Sequence, residues 1–212
     1  YGENPHQRAA VYREPLLKEG SIARARQLAG ADLTYNNIHD ANSALELVKE
    51  YDEPAVVACK HGEPCSVGTG NDLFEACDRA AEADPLSFRG QLRVNKPLIL
   101  LEMPDIRSKV QFTTFDMKKI YGGLLVQTYD TALMEDAVCA TSRKPTEEEL
   151  AALTLNYKVA KHAHSSAVVV GTQNATCGIG AGQTNRMLAL RFALSLAGDK
   201  AKGAVIASDS AL

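Results

Sequence analysis

Apolar positions along this chain fall into two patterns, stretches at helical spacing and short continuous runs. Over 41–51, Ala44, Leu45 and Val48 share one helical face, and Asp40 stands where an N-cap would. Pro54 closes that segment, and the run 55–59 (AVVAC) predicts a short buried strand. The polar, glycine-containing stretch 60–65 predicts a turn. Asn71 can cap a helix over 72–83, whose Leu73, Ala76, Cys77 and Ala80 form an apolar stripe. From 85 to 119 the signals are mixed, with Pro97 and Pro104 as breakers, and 121–126 (YGGLLV) reads as a strand with a glycine-rich entry. Thr146 and Glu149 make a capping-box pattern that predicts a helix over 147–162. The run 166–171 (SAVVVG) predicts a strand, and a turn around 173–175 leads into the glycine-rich stretch 176–182, read as a strand-to-helix turn, with a helix beginning near Gln183. A last strand is expected over 204–207.

This alternation predicts an α/β fold in two halves, 1–118 and 119–212, with no sequence repeat or flexible linker marking the division. A length of 212 residues suits one large domain or two small ones. Lys and Arg number 23 against 26 Asp and Glu, a formal charge of −3, which argues against a nucleic-acid-coating protein or a polybasic membrane binder. No apolar run approaches the ~18 residues that span a bilayer, and no basic and apolar leader opens the chain. The cysteines, Cys59, Cys65, Cys77, Cys139 and Cys177, are odd in number and lack any Cys-x-x-Cys pair. Reduced thiols in the cytoplasm are therefore expected rather than a disulfide framework.

Lys60-His61 follows a buried strand, where side chains at a strand's carboxyl end project into a crevice. The pair offers a cation for an anionic or carbonyl oxygen and an imidazole that exchanges protons near neutral pH. An exposed Lys and a loop His satisfied by backbone is the plainer alternative. In 178–186 (GIGAGQTNR) three alternating glycines let a backbone approach a ligand, with Arg186 in the first turn of the following helix as a donor fork. A glycine-rich turn without a ligand remains equally open. The spacing is neither G-x-G-x-x-G nor a Walker A loop. His61, Glu63, Pro64 and Cys65 hint at a zinc deaminase, but the second cysteine slot is Gly68, so metal at these positions is rejected. His162 and His164, two apart at a helix end, read as partners of its dipole rather than metal ligands. Asp209, after the last strand, is a carboxylate at a strand end.

Eight stretches occur in an order that resembles a known family. They are Tyr1-Gly-Glu-Asn-Pro-His-Gln7, Leu33-Thr-Tyr-Asn-Asn-Ile38, Lys60-His61 with Pro64-Cys65, Gly122-Gly-Leu-Leu-Val-Gln127, Arg143-Lys-Pro-Thr146, Lys158-Val-Ala-Lys161, Gly178 to Gln183, and Ala207-Ser-Asp209. Across its whole length the chain is similar to the AICAR transformylase domain of the bifunctional AICAR transformylase/IMP cyclohydrolase family of purine biosynthesis. The resemblance implies two cytidine-deaminase-like halves, with mixed sheets flanked by helices and no zinc. It implies formyl transfer from 10-formyltetrahydrofolate, as co-substrate, to the 5-amine of AICAR in a cytoplasmic homodimer, and it allows a monovalent cation. Lys60 and His61 match the family's catalytic pair. Tyr1 and Arg186 match nucleotide-binding positions, Asp209 an active-site carboxylate, and Gly180 and Gly182 lie in the substrate-binding glycine stretch.

The departures from the family define a rival. Ser166 stands where the family has a carboxamide-binding Asn, Ser66 follows Pro64-Cys65 in place of Gly, and 87–91 reads SFRGQ. Several tens of residues that follow 95–98 in the family are expected to be missing, as is the family's C-terminal segment. The alternative is a catalytically silent AICAR- or nucleotide-binding homologue without a complete folate site.

Overall fold

In a computed structural model the described residues are all but 16–18, 93–97, 104, 108–114, 135 and 211–212, with the backbone alone for 89–92. The breakers Pro97 and Pro104 lie outside the described residues. In chain order the elements are β1 (Arg26–Ala29), α1 (Tyr35–Val48), β2 (Ala55–Lys60), β3 (Glu63–Thr69), α2 (Leu73–Ala83) and α3 (Pro85–Leu92). Then come β4 (Leu100–Glu102), β5 (Phe115–Ile120), β6 (Gly123–Thr128), α4 (Glu147–His162), β7 (Val168–Gly171), β8 (Thr176–Gly180), α5 (Arg186–Ala197) and β9 (Val205–Ser208).

The architecture is mixed α/β, with small sheets and helices. β7 is the middle strand of a three-stranded sheet, antiparallel to β8 and to β9, and β2 and β3 form an antiparallel hairpin. The hairpin joins the larger sheet edge to edge. An antiparallel bridge pairs Gly68 with Ala175, and the Thr69 N–H donates to Asn174 O at 2.8 Å. The buried Thr176 hydroxyl accepts the Val67 N–H at 3.0 Å. Side by side the strands therefore run β2-β3-β8-β7-β9. Where mixed sheets were expected, every ladder between the described strands is antiparallel.

Strand alternation divides the core between two faces. Val169, Ile179, Val67 and Ala207 pack with Leu47, Tyr51, Leu155 and Val159, from the α1 and α4 side. Val168 and Val170 pack with Ala189, Ala193 and Ala197 of α5. Complete burial of Val168, Val169 and Val170 contributes about 1.5–3 kcal/mol each as an upper bound, which explains the strong strand signal there. The first cluster draws residues from both expected halves, so they share one core. Each half also carries the same order of elements, α1-β2-β3-α2 and α4-β7-β8-α5, although the sequence shows no repeat. The expected division at 118/119 falls within β5.

Several boundaries shift for identifiable reasons. Thr34 and Asn37 form a capping box that starts α1 at Tyr35, so Asp40 lies inside the helix instead of capping it. The expected turn over 60–65 shrinks to two residues, because Glu63, Pro64 and Cys65 already belong to β3. Asp72, not Asn71, caps α2. The helix α3 arises in the mixed region because Pro85 stands at its first position, where the missing N–H costs nothing, while the Asp84 carboxylate accepts the N–H groups of Leu86 and Ser87.

The glycine-rich stretch is corrected most. Residues 176–180 are not a loop but the fully buried strand β8. A Cβ on Gly178 would lie 2.1 Å from Ala193 O, and one on Gly180 would lie 2.2 Å from Ala189 O. These glycines let α5 lie directly on the strand. α5 itself starts at Arg186, with Asn185 as N-cap, whose side chain accepts the Met187 N–H at 2.8 Å.

Candidate functional site

Lys60 ends β2, and His61 and Gly62 form the two-residue turn into β3, with φ of 55° and 80°. Two positive φ values in succession match the twist of a tight hairpin and favour Gly at the second place. The turn is held from α1, where Asp40 Oδ1 accepts the Gly62 N–H at 2.7 Å. The Lys60 and His61 side chains are exposed, and among the described residues neither makes a hydrogen bond or ion pair. The strand-end placement expected from the sequence therefore holds, in an antiparallel hairpin rather than at a parallel sheet's crevice.

A second group gathers at the entrance of β7. Asp209, just past β9, accepts from the Ser165 hydroxyl through Oδ2 and from the Ala167 N–H through Oδ1 at 3.1 Å. Arg186 Nη2 lies 3.5 Å from Asp209 Oδ1. Burial pushes the Asp209 carboxyl up, but the Ser165 hydroxyl, the Ala167 N–H and the Arg186 guanidinium outweigh it and hold it below the usual range. Ser166 is laced to Gln183 by backbone bonds, its N–H donating to Gln183 O at 3.0 Å, and the Gly182 N–H donates to His164 O at 2.7 Å. The structure thus brings Ser166, Arg186, Asp209 and Gly182 together. Gly180 lies buried in β8, where packing against α5 accounts for it.

Tyr1 is exposed in a turn closed by bonds between Gly2, Asn4 and Gln7. That turn docks on α1 through Asn36 Nδ2, which donates to Glu3 O at 3.3 Å, so its described contacts run to α1 and not to Asp209.

His162 and His164 part company. Helix α4 ends at His162, whose Nε2 lies 2.9 Å from Glu50 Oε1, while the imidazole and backbone N–H of His164 both meet the Glu63 carboxylate. His162 lies in the last turn of α4, where a helix-dipole partner was expected, while His164 lies past the helix end, and both also meet carboxylates. Glu50 also meets Lys161 Nζ at 2.8 Å. The His162 hydrogen bond, with Lys161, overcomes burial and lowers the Glu50 pKa to about 2. Glu63, Ser165, His164 and Asp40 were not singled out for this site from sequence. The positions of Glu63 beside Lys60-His61 and of His164 and Ser165 beside Ser166 were the available signal, and no local signal pointed to Asp40.

Three of the thiols, Cys59, Cys65 and Cys177, are held back as nucleophiles by burial. Burial, then the neighbouring Cys65, Asp40 and Glu63, pushes Cys59 up to about 12, and burial also raises Cys65 and Cys177. Among the described residues no group of three or more His, Cys, Asp or Glu is placed to hold a metal ion. No helix among them is long and apolar enough to cross a membrane. What the arrangement offers is an open Lys-His pair on a clamped turn, and an Asp209-Arg186 pair bonded to the 163–167 loop that Glu63 ties to the turn.

Comparison with known proteins identifies the family. The AICARFT/IMPCHase bienzyme family profile matches residues 1–98 and 91–196. The chain is 40% identical to the bifunctional purine biosynthesis protein PurH of Acetivibrio thermocellus over 248 residues, covering 99% of this chain and 48% of that protein. It is 44% identical over 246 residues to the PurH of Anoxybacillus flavithermus and 43% identical over 246 to that of Bacillus cytotoxicus, with the same coverage. The chain thus spans about half the length of the curated relatives it matches. Because 248 matched residues exceed the 212 of the chain, at least 36 positions of the first relative have no counterpart here. The two profile matches meet at 91–98, beside the place where the missing segment was expected.

Proposed function

The chain belongs to the AICARFT/IMPCHase bienzyme family, and from that premise we propose that it transfers the formyl group of 10-formyltetrahydrofolate to the 5-amine of AICAR. The supporting observation is the clamped β2–β3 turn, which presents the Lys60 and His61 side chains exposed and, among the described residues, without a hydrogen bond or ion pair. In the transfer the amine nitrogen bonds to the formyl carbon, the bond from that carbon to N10 of the folate breaks, and N10 gains a proton. His61 takes the proton the amine loses, and Lys60 donates to the formyl oxygen as negative charge grows there. The amine is a weak nucleophile because its lone pair is shared with the ring and carboxamide, so orientation supplies the larger part of the rate. Tyr1, Ser166, Arg186 and Gly182 are assigned to the nucleotide, and Asp209 orients Arg186. A monovalent cation is assigned to no residue.

We place the protein in the cytoplasm as a homodimer. An odd set of cysteines supports the first, and exposed Phe115, Met117, Leu124, Leu125 and Val126 on the β5–β6 hairpin support the second. A second reading, a nucleotide-binding homologue without turnover, is favoured by Ser166 and by the positions absent relative to the relatives. The test is steady-state formyl transfer by the full-length protein and its Lys60→Ala and His61→Ala variants. Turnover that falls about 100-fold or more in each variant is expected. Unchanged turnover in either would remove this mechanism, and AICAR binding without turnover in the unaltered protein would establish the silent homologue.

A further inference from the structure

The Lys60-His61 turn and the Ser165-Ser166 loop lie about a hundred residues apart in sequence, yet one carboxylate touches both elements. Glu63 leaves the turn immediately after Gly62, paired in register with Lys60. Its Oε2 accepts the His164 N–H at 3.2 Å, and its Oε1 meets His164 Nδ1. His164 in turn precedes Ser165, which donates to Asp209, and its own carbonyl accepts the Gly182 N–H at 2.7 Å. We propose that Glu63 and His164 form a latch that sets the catalytic turn relative to the loop carrying Ser166, with Glu63 and His164 as positioning residues. This rests on the formyltransferase reading above.

The location suits positioning better than support of the fold. The His164 side chain is 70% exposed, and a polar contact so open to water adds little to global stability. The β2–β3 hairpin keeps its own ladder and the Asp40 clamp without it, and α4 keeps its Glu50 contacts. What the latch adds, beyond the shared sheet, is a direct tie between the turn and the loop themselves, and displacements near 1 Å at reacting groups cost on the order of 100-fold in rate.

The test uses the full-length protein with Glu63→Ala, Glu63→Gln and His164→Ala. For Glu63→Ala the expected result is a kcat about 10- to 100-fold lower, with KM for AICAR changed less than about threefold and the melting temperature unmoved. Gln, whose carbonyl still accepts the His164 N–H, should restore part of kcat. A kcat unchanged in Glu63→Ala, or one lost only in step with the melting temperature, overturns the latch. Amide hydrogen exchange gives a readout that needs no turnover: Glu63→Ala should speed exchange across 163–167 and leave α5 unchanged. Unchanged exchange there overturns the latch even in an inactive protein, whereas absent formyl transfer by the unaltered protein, with the exchange effect present, overturns the formyltransferase reading and not the latch.

Discussion

Replacing Glu50 with Gln removes one negative charge from the junction of α1 and α4. Glu50 Oε1 there serves both Lys161 Nζ at 2.8 Å and His162 Nε2 at 2.9 Å, and the Lys161 side chain is only 7% exposed. Removing one partner of a fully buried pair costs about 3–5 kcal/mol. Glu50 keeps some contact with water and the Gln carbonyl still accepts one bond, so about 2 kcal/mol is expected here. A lowering of the Glu50 carboxyl from 4.5 to about 2 sets an independent ceiling of roughly 3 kcal/mol, which solvent screening reduces to about 1–2 kcal/mol. Because the folded value is depressed, that stability is present above about 4.5 and is lost as pH falls toward about 2. Urea unfolding followed by circular dichroism should show Glu50→Gln less stable by about 2 kcal/mol at pH 7, some 4–8 °C in melting temperature. The gap should narrow steadily below pH 4.5. A gap under about 0.5 kcal/mol at pH 7, or one that does not change with pH, would refute the reasoning.

Other substitutions separate close packing from turn strain. Gly180→Ala should destabilise by about 3 kcal/mol or more in thermal unfolding, since its Cβ would meet the α5 backbone at Ala189 O. Gly182→Ala, with nothing within 4 Å but a φ of +65°, should cost only about 1 kcal/mol by the same measurement. Thr146→Ala removes half of the α4 capping box and should cost about 1 kcal/mol in urea unfolding, with the loss concentrated in exchange at the first turn of α4. Under native conditions a thiol reagent should label the exposed Cys139 first and leave Cys59 and Cys177 unlabelled, as read by peptide mass.

Legibility followed the distance over which a signal acts. The helix α4 was readable to its last residue because Thr146 and Glu149 announce its start within three positions. The run at Val168 to Val170 was readable because both of its faces are buried. Helix α1 began earlier than expected because its capping box closes on Asn37 rather than on Glu or Gln. Glycines spaced two apart look alike in a ligand loop and on the helix-facing side of a strand, and only the position of α5 distinguishes them. In the site, Lys60 and His61 were placed by the strand before them, and Arg186 and Asp209 by elements next to them. Glu63 and His164 went unpaired because their contact joins elements that sequence order keeps apart, and no local pattern reports it.

The most direct measurement is a single-turnover reaction of the full-length protein, in excess over AICAR, with 10-formyltetrahydrofolate, following the mass of the nucleotide. The expected result is a nucleotide heavier by one CO, or by one CO less one H2O where the product cyclises, formed together with deformylated folate and lost in His61→Ala. A nucleotide that binds and dissociates with its mass unchanged would contradict formyl transfer by this protein.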